Sequence, residues 1–106
     1  MPQYAVIGRH EANGSPMTSK ATREVAKKAD GGLEELLQQE HTKLLLNLHL
    51  DPAHKGFRRF EAPTAETVRD ILVDSGRSSG FDLEFHLVTP CAEFLKTADK
   101  FPAIYP

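Results

Sequence analysis

The sequence predicts an α+β fold in which two helices cover one face of a four-stranded antiparallel sheet. Three observations carry this. Leu44 to Asp51 (LLLNLHLD) and Phe81 to Val88 (FDLEFHLV) both alternate with the two-residue period of a strand. Two other stretches carry apolar residues at three- and four-residue spacing, as amphipathic helices do. Their order along the chain is strand, helix, strand, strand, helix, strand.

Gln3 to His10 (QYAVIGRH) is apolar on both faces, as a central strand is. The loop Glu11 to Pro16 carries a strong turn signal at Asn13-Gly14. Thr18 or Ser19 can then cap a helix. Ala21, Val25, Ala29, Leu33, Leu36 and Leu37 form its stripe, interrupted by Gly31-Gly32. Two glycines inside a helix cost roughly 2 kcal/mol relative to alanine. The expectation is a kink, or two helices over about 18–30 and 33–41 with Gly31 as the C-cap.

In the strand 44–51, Leu44, Leu46, Leu48 and Leu50 are expected to face the helices, with Asn47, His49 and Asp51 on the opposite face. Pro52 to Gly56 reads as a hairpin turn into a strand over 57–61. Thr64 caps a second helix with Glu66 in its first turn, where the helix dipole favours an acid. Val68, Ile71 and Leu72 form its apolar face, and Gly76 stops it. The loop 76–80 leads to the strand 81–89, whose Phe81, Leu83, Phe85 and Leu87 face the core while Asp82, Glu84 and His86 face away. The tail from Cys91 to Pro106 carries Phe94, Leu95, Phe101, Ile104 and Tyr105, and is expected to pack on its own domain or on a partner subunit.

This order is the split β-α-β, or ferredoxin-like, arrangement in a single domain spanning 1–106, with the first and third strands central. The sheet face away from the helices is left open, and pairing of two such faces makes a homodimer.

With 106 residues, 40% hydrophobic and 26% charged, the chain has the composition of a globular domain. A net charge of −2 supplies no basic footprint for nucleic acid. Arg58-Arg59 splits across the two faces of its strand. The single cysteine, Cys91, permits no intrachain disulfide and no cysteine-based zinc site, and is read as a small buried apolar residue. No stretch is long enough to span a membrane, and no leader precedes the first strand, so a cytoplasmic protein is expected. Phosphate-loop, nucleophile-elbow and zinc-finger motifs are absent from the sequence, and no cofactor is implied.

Met1-Pro2-Gln3-Tyr4 at the first strand, Phe60-Glu61-Ala62-Pro63 leading into Glu66, Val68 and Arg69, and the run from Gly76 through Glu84 to Pro90 resemble a bacterial group of small ferredoxin-like proteins. That group contains nickel-binding and otherwise uncharacterised members. The resemblance covers residues 1–10 and 57–90 and implies a dimeric α+β barrel. The group carries a histidine where this chain has Ile71, so its metal site does not transfer. Dimeric barrels include monooxygenases, dehydratases and isomerases, so membership implies no single reaction.

The candidate ligand-binding residues are Asn47, His49, Arg59, Glu84 and His86. His49 and His86 are also the candidate acid/base groups, because imidazole titrates near neutral pH. With Asp82 or Glu84 they also have the donor chemistry of a divalent-metal site. The alternative reading is that polar residues on edge strands block further strand pairing. The two histidines lie on opposite edges, roughly 14 Å apart by three strand spacings, so one subunit cannot join them. His10 ends its strand beside Glu11, His41 follows the first helix, and His54 is expected exposed in the hairpin turn. Arg9 and Arg59 are expected to pair with Glu61 or Glu84, or to hold a carboxylate. Two classes of function follow: a small-molecule-binding module or stress-associated protein with no chemistry of its own, working as a homodimer, or a small dimeric-barrel enzyme of monooxygenase or isomerase type acting on an apolar or aromatic compound.

Overall fold

The computed structural model describes residues 1–11, 16–17, 19–50, 54–75 and 82–106. The expected turn at Asn13-Gly14, the alternative cap Thr18, the strand-end residues Asp51 and Phe81, and the loop 76–80 lie outside the described residues. The described chain is α+β: β1 (Gln3–Arg9), α1 (Lys20–Gln39), β2 (Lys43–Leu50), β3 (Lys55–Glu61), α2 (Ala65–Asp74), β4 (Asp82–Val88) and α3 (Cys91–Ala98). The four strands form one antiparallel sheet in the order β2-β3-β1-β4.

The core lies between the sheet and the first two helices. Val6 of β1 and Phe60 of β3 are fully buried against Leu33 and Leu37 of α1 and Val68, Ile71 and Leu72 of α2, with Tyr4, Leu44 and Leu83 at its margin. The inward face of α1 runs through Thr22, Ala26, Ala29, Leu33 and Leu37, so Val25 falls outside it and is exposed.

α1 is continuous from Lys20 to Gln39, without the break expected at Gly31-Gly32. Burying Leu33 and Leu37 stabilises the second half of the helix by about 3–6 kcal/mol, which exceeds the roughly 2 kcal/mol the glycines cost. Ser19 caps the helix, its Oγ accepting the Thr22 N–H at 3.2 Å. At the other end the Thr42 N–H donates to the Leu37 carbonyl and the His41 N–H to that of Gln38, a Schellman closure with His41 in the left-handed region at φ 52°. Thr64 caps α2 as expected, its Oγ1 accepting the Thr67 N–H at 3.1 Å.

One irregularity reorganises β2. Lys43 and Leu44 stand opposite Glu61 and Phe60, but Leu46 stands opposite Arg59, so Leu45 is an extra residue in the ladder. Such a bulge shifts every later side chain to the other face. Leu44 therefore points to the core with Phe60, whereas Leu46, Leu48 and Leu50 share the open face with Arg59, Phe57 and Lys55. Asn47 and His49 share the helix-side face with Arg58 and Gly56. This corrects the expectation that all four leucines face the helices and that Asn47 and His49 face away. β4 keeps the expected faces, but only Leu83 of its described apolar residues packs on the core, Phe85 and Leu87 being exposed. Phe85 is paired with Val6 on the helix side, and Glu84 and His86 are on the open face with Ile7 and Ala5.

The C-terminal segment stands away from the domain. Every residue from Thr89 to Pro106 is exposed, among them Phe94, Leu95, Phe101, Ile104 and Tyr105. Cys91 is exposed too, contrary to its reading as a buried apolar residue. The radius of gyration is 16.4 Å, against roughly 13 Å for a compact chain of this length, as an outstretched segment produces.

Candidate functional site

The two sheet faces carry different chemistry. Across the open face the register sets His86, Ala5, Arg59 and Leu46 in one row, then Glu84, Ile7, Phe57 and Leu48, then Asp82, Arg9, Lys55 and Leu50. The face thus grades from Asp82, Glu84 and His86 at β4, through central strands that carry Ile7 and Phe57 flanked by the cations Arg9, Lys55 and Arg59, to leucine at β2. His86 Nε2 and Glu84 Oε2 are 2.9 Å apart, both about half exposed. That hydrogen bond is the main reason the Glu84 carboxyl titrates below its ordinary value, with the charges of His86, Arg9 and Lys55 acting in the same direction and burial opposing.

Arg59 sits between Ala5 and Leu46 with its Nε buried and without a hydrogen-bond partner among the described residues. The expected ion pair with Glu61 or Glu84 is not formed there. Glu61 instead lies 3.8 Å from the N-terminal amine.

The helix side holds a second group of polar residues at the end of the sheet beside α1. The rings of His10 and His49 are parallel, with centroids 6.5 Å apart, and His54 meets His10 edge-on at 5.3 Å. The His10 N–H donates to the His54 carbonyl at 3.0 Å, which ties the end of β1 to the start of β3. His54, expected exposed, is half-buried in this cluster. A pocket of about 260 Å³ opens there, lined by His10, Asp30, Asn47, His49, Gly56 and Arg58 among others. Arg58 was not a sequence candidate. The signal for it was present, since it is two residues from core-facing Phe60 and so shares its face.

The five sequence candidates are therefore divided. Arg59, Glu84 and His86 share the open face, and Asn47 and His49 lie on the other side with His10 and Arg58. Among the described residues no three His, Cys, Asp or Glu side chains are placed to hold a metal ion. A larger groove of about 790 Å³ runs between α1 and β2, lined by Leu33, Leu37, Leu44 and Leu45 with His41 at its edge. Asp30, Glu34, Gln38, Thr42 and Lys43 also line it, but none of the five sequence candidates does.

No protein-family model and no curated protein matches the chain. Solved structures share the fold. One of them is the de novo designed protein Ferredog-Diesel, similar with a TM-score of 0.51 at 14% identity, over 81% of this chain and 84% of that one. Among the described residues no helix is long and apolar enough to cross a membrane.

Proposed function

We propose that this chain is a ferredoxin-like, cytoplasmic small-molecule-binding protein that acts as a homodimer, two copies facing each other through their open sheets as a dimeric α+β barrel. The observation that carries the reading is the uncovered apolar band on the open face. Leu48 and Leu50 are exposed, and Ile7, Leu46 and Phe57 are half-buried with no helix over them. A contiguous apolar surface of this kind marks an interface or a ligand-binding wall. A two-fold dimer presents the same band from both sides. The ligand that fits between the sheets is an apolar or aromatic compound with one polar end, held by Arg59 on one side of the face or by the Glu84–His86 pair on the other. The exposed arm from Thr89 to Pro106 supports the same assembly, because its five large apolar side chains find cover on the second copy.

Light scattering coupled to size exclusion tests the assembly. The expected mass is that of two chains, and Leu48→Glu is expected to return it to one. A monomer at micromolar concentration refutes the proposal. Native mass spectrometry of the purified dimer tests for a retained small molecule.

A second reading rests on one observation, the 2.9 Å hydrogen bond between Glu84 and His86. A carboxylate fixes an imidazole's orientation and tautomer, which is what a general acid/base needs. On this reading the dimer is a small enzyme of monooxygenase or isomerase type with His86 as its acid/base. Any turnover found by substrate screening then falls by about 10²-fold or more in His86→Gln. His49 is not part of this site, since the bulge at Leu45 turns it to the other side of the sheet.

A further inference from the structure

We propose that the helix-side pocket floored by Arg58 is a binding site for a small monocarboxylate, separate from the open sheet face. Arg58 is a charged residue built into the core side of the sheet, only 9% exposed, between Val6 of β1 and Asn47 of β2. Its guanidinium lies along the strand over Gly56, where an added Cβ would be 3.6 Å from Nη1. Nε is buried and has no hydrogen-bond partner, and Arg58 forms no ion pair among the described residues. Burial accordingly pushes the guanidinium's pKa down.

A cation withdrawn from water without a counter-charge costs several kcal/mol, and proteins ordinarily pair such groups. The fold could have placed a leucine here in phase with Phe60. Instead the guanidinium faces a pocket of about 260 Å³, just below the range of drug-sized sites, whose walls also bring Asn47, His10 and His49. An amide and two imidazoles are hydrogen-bonding groups that suit an oxyanion already held by an arginine fork. Asp30 in the same wall adds negative charge, which disfavours a phosphate dianion and leaves a single carboxylate as the matching class.

The test is NMR titration of the whole protein with acetate and propionate, with inorganic phosphate in a parallel arm. Expected are saturable shifts of the Arg58 Nε–H and the Asn47 side-chain amide with Kd on the order of 1 mM, as suits a ligand of so few atoms. Arg58→Met abolishes them. Arg58→Lys, which keeps the charge but loses the planar fork, weakens binding about tenfold. Asn47→Ala, at an exposed side chain, weakens binding with the fold intact and serves if the Arg58 variants do not fold. Absence of saturable shifts in the wild type, their survival in Arg58→Met or full affinity in Asn47→Ala would overturn the assignment. So would a preference for phosphate. Leu50→Glu, an open-face change at a residue that does not line this pocket, is expected to disrupt the dimer and leave this binding unchanged, so the two proposals fail separately.

Discussion

Replacing both Gly31 and Gly32 with alanine is expected to stabilise the protein. The two glycines sit inside an unbroken α1, both exposed, and a Cβ built on either meets nothing within 4 Å. Neither substitution therefore brings a steric penalty. What each removes is the entropy that glycine loses on entering a helix, about 0.5–1 kcal/mol per position. The pair together should contribute roughly 1–2 kcal/mol. For a domain near this size each 1 kcal/mol moves the melting temperature by about 4–8 °C, so the double variant should melt roughly 4–16 °C higher. Urea denaturation followed by far-ultraviolet circular dichroism should show a higher midpoint with an unchanged slope. Both proteins must be compared at one concentration, because association would shift the midpoint by itself. An unchanged or lower midpoint would refute the reasoning, since it would mean the chain uses these glycines to bend or to end the helix.

His41→Gly should also stabilise, by about 1 kcal/mol, because His41 holds a left-handed backbone at φ 52° in the closure of α1; equal or reduced stability in urea would count against it. Phe60→Ala should cost about 3–5 kcal/mol, since Phe60 is fully buried between the sheet and both helices; a loss under about 1 kcal/mol would mean the core lies elsewhere. Glu84 titrates below its ordinary value in the folded chain, chiefly through His86. Its small contribution to stability is therefore present above the unfolded pKa of a glutamate and lost as pH falls through the lower folded value. His86→Ala should move the Glu84 carboxyl midpoint upward in a ¹³C-detected titration and leave the influence of Arg9 and Lys55 in place; an unmoved midpoint would mean the hydrogen bond does not form in solution.

Much of the fold was legible because local pattern and burial agree. Thr64 capped its helix, Phe85 and Glu84 took opposite faces of β4, and the Leu33–Leu37 stripe found the core. The errors arose where a longer-range term decided. Packing of Leu33 and Leu37 overrode the low helix propensity of Gly31-Gly32. Cys91 and the apolar tail gave no local sign of standing free of the domain, because hydrophobicity tells that a side chain needs cover and not which chain supplies it. The candidate site was the harder part. The run Leu44-Leu45-Leu46 has no polar residue to mark the alternation, so a single extra residue there is invisible to a period-two reading. A period-two reading therefore puts His49 and Asn47 on the face they leave, whereas the inward position of Arg58 follows from its phase with Phe60.

The bulge at Leu45 also sets how β2 would respond to saturation mutagenesis. Tolerance along a half-buried strand normally rises and falls with every second position. Here the rhythm should skip a beat. Leu44 should resist polar replacement, whereas half-buried Leu46, two positions on and on the open face, should accept serine or lysine more readily. Asn47, on the helix side of the sheet but exposed, should follow the phase of Leu44 rather than that of Leu46. A fitness map of this one strand would thus record a half-period jump at position 45, and that discontinuity would report the extra residue without any coordinates.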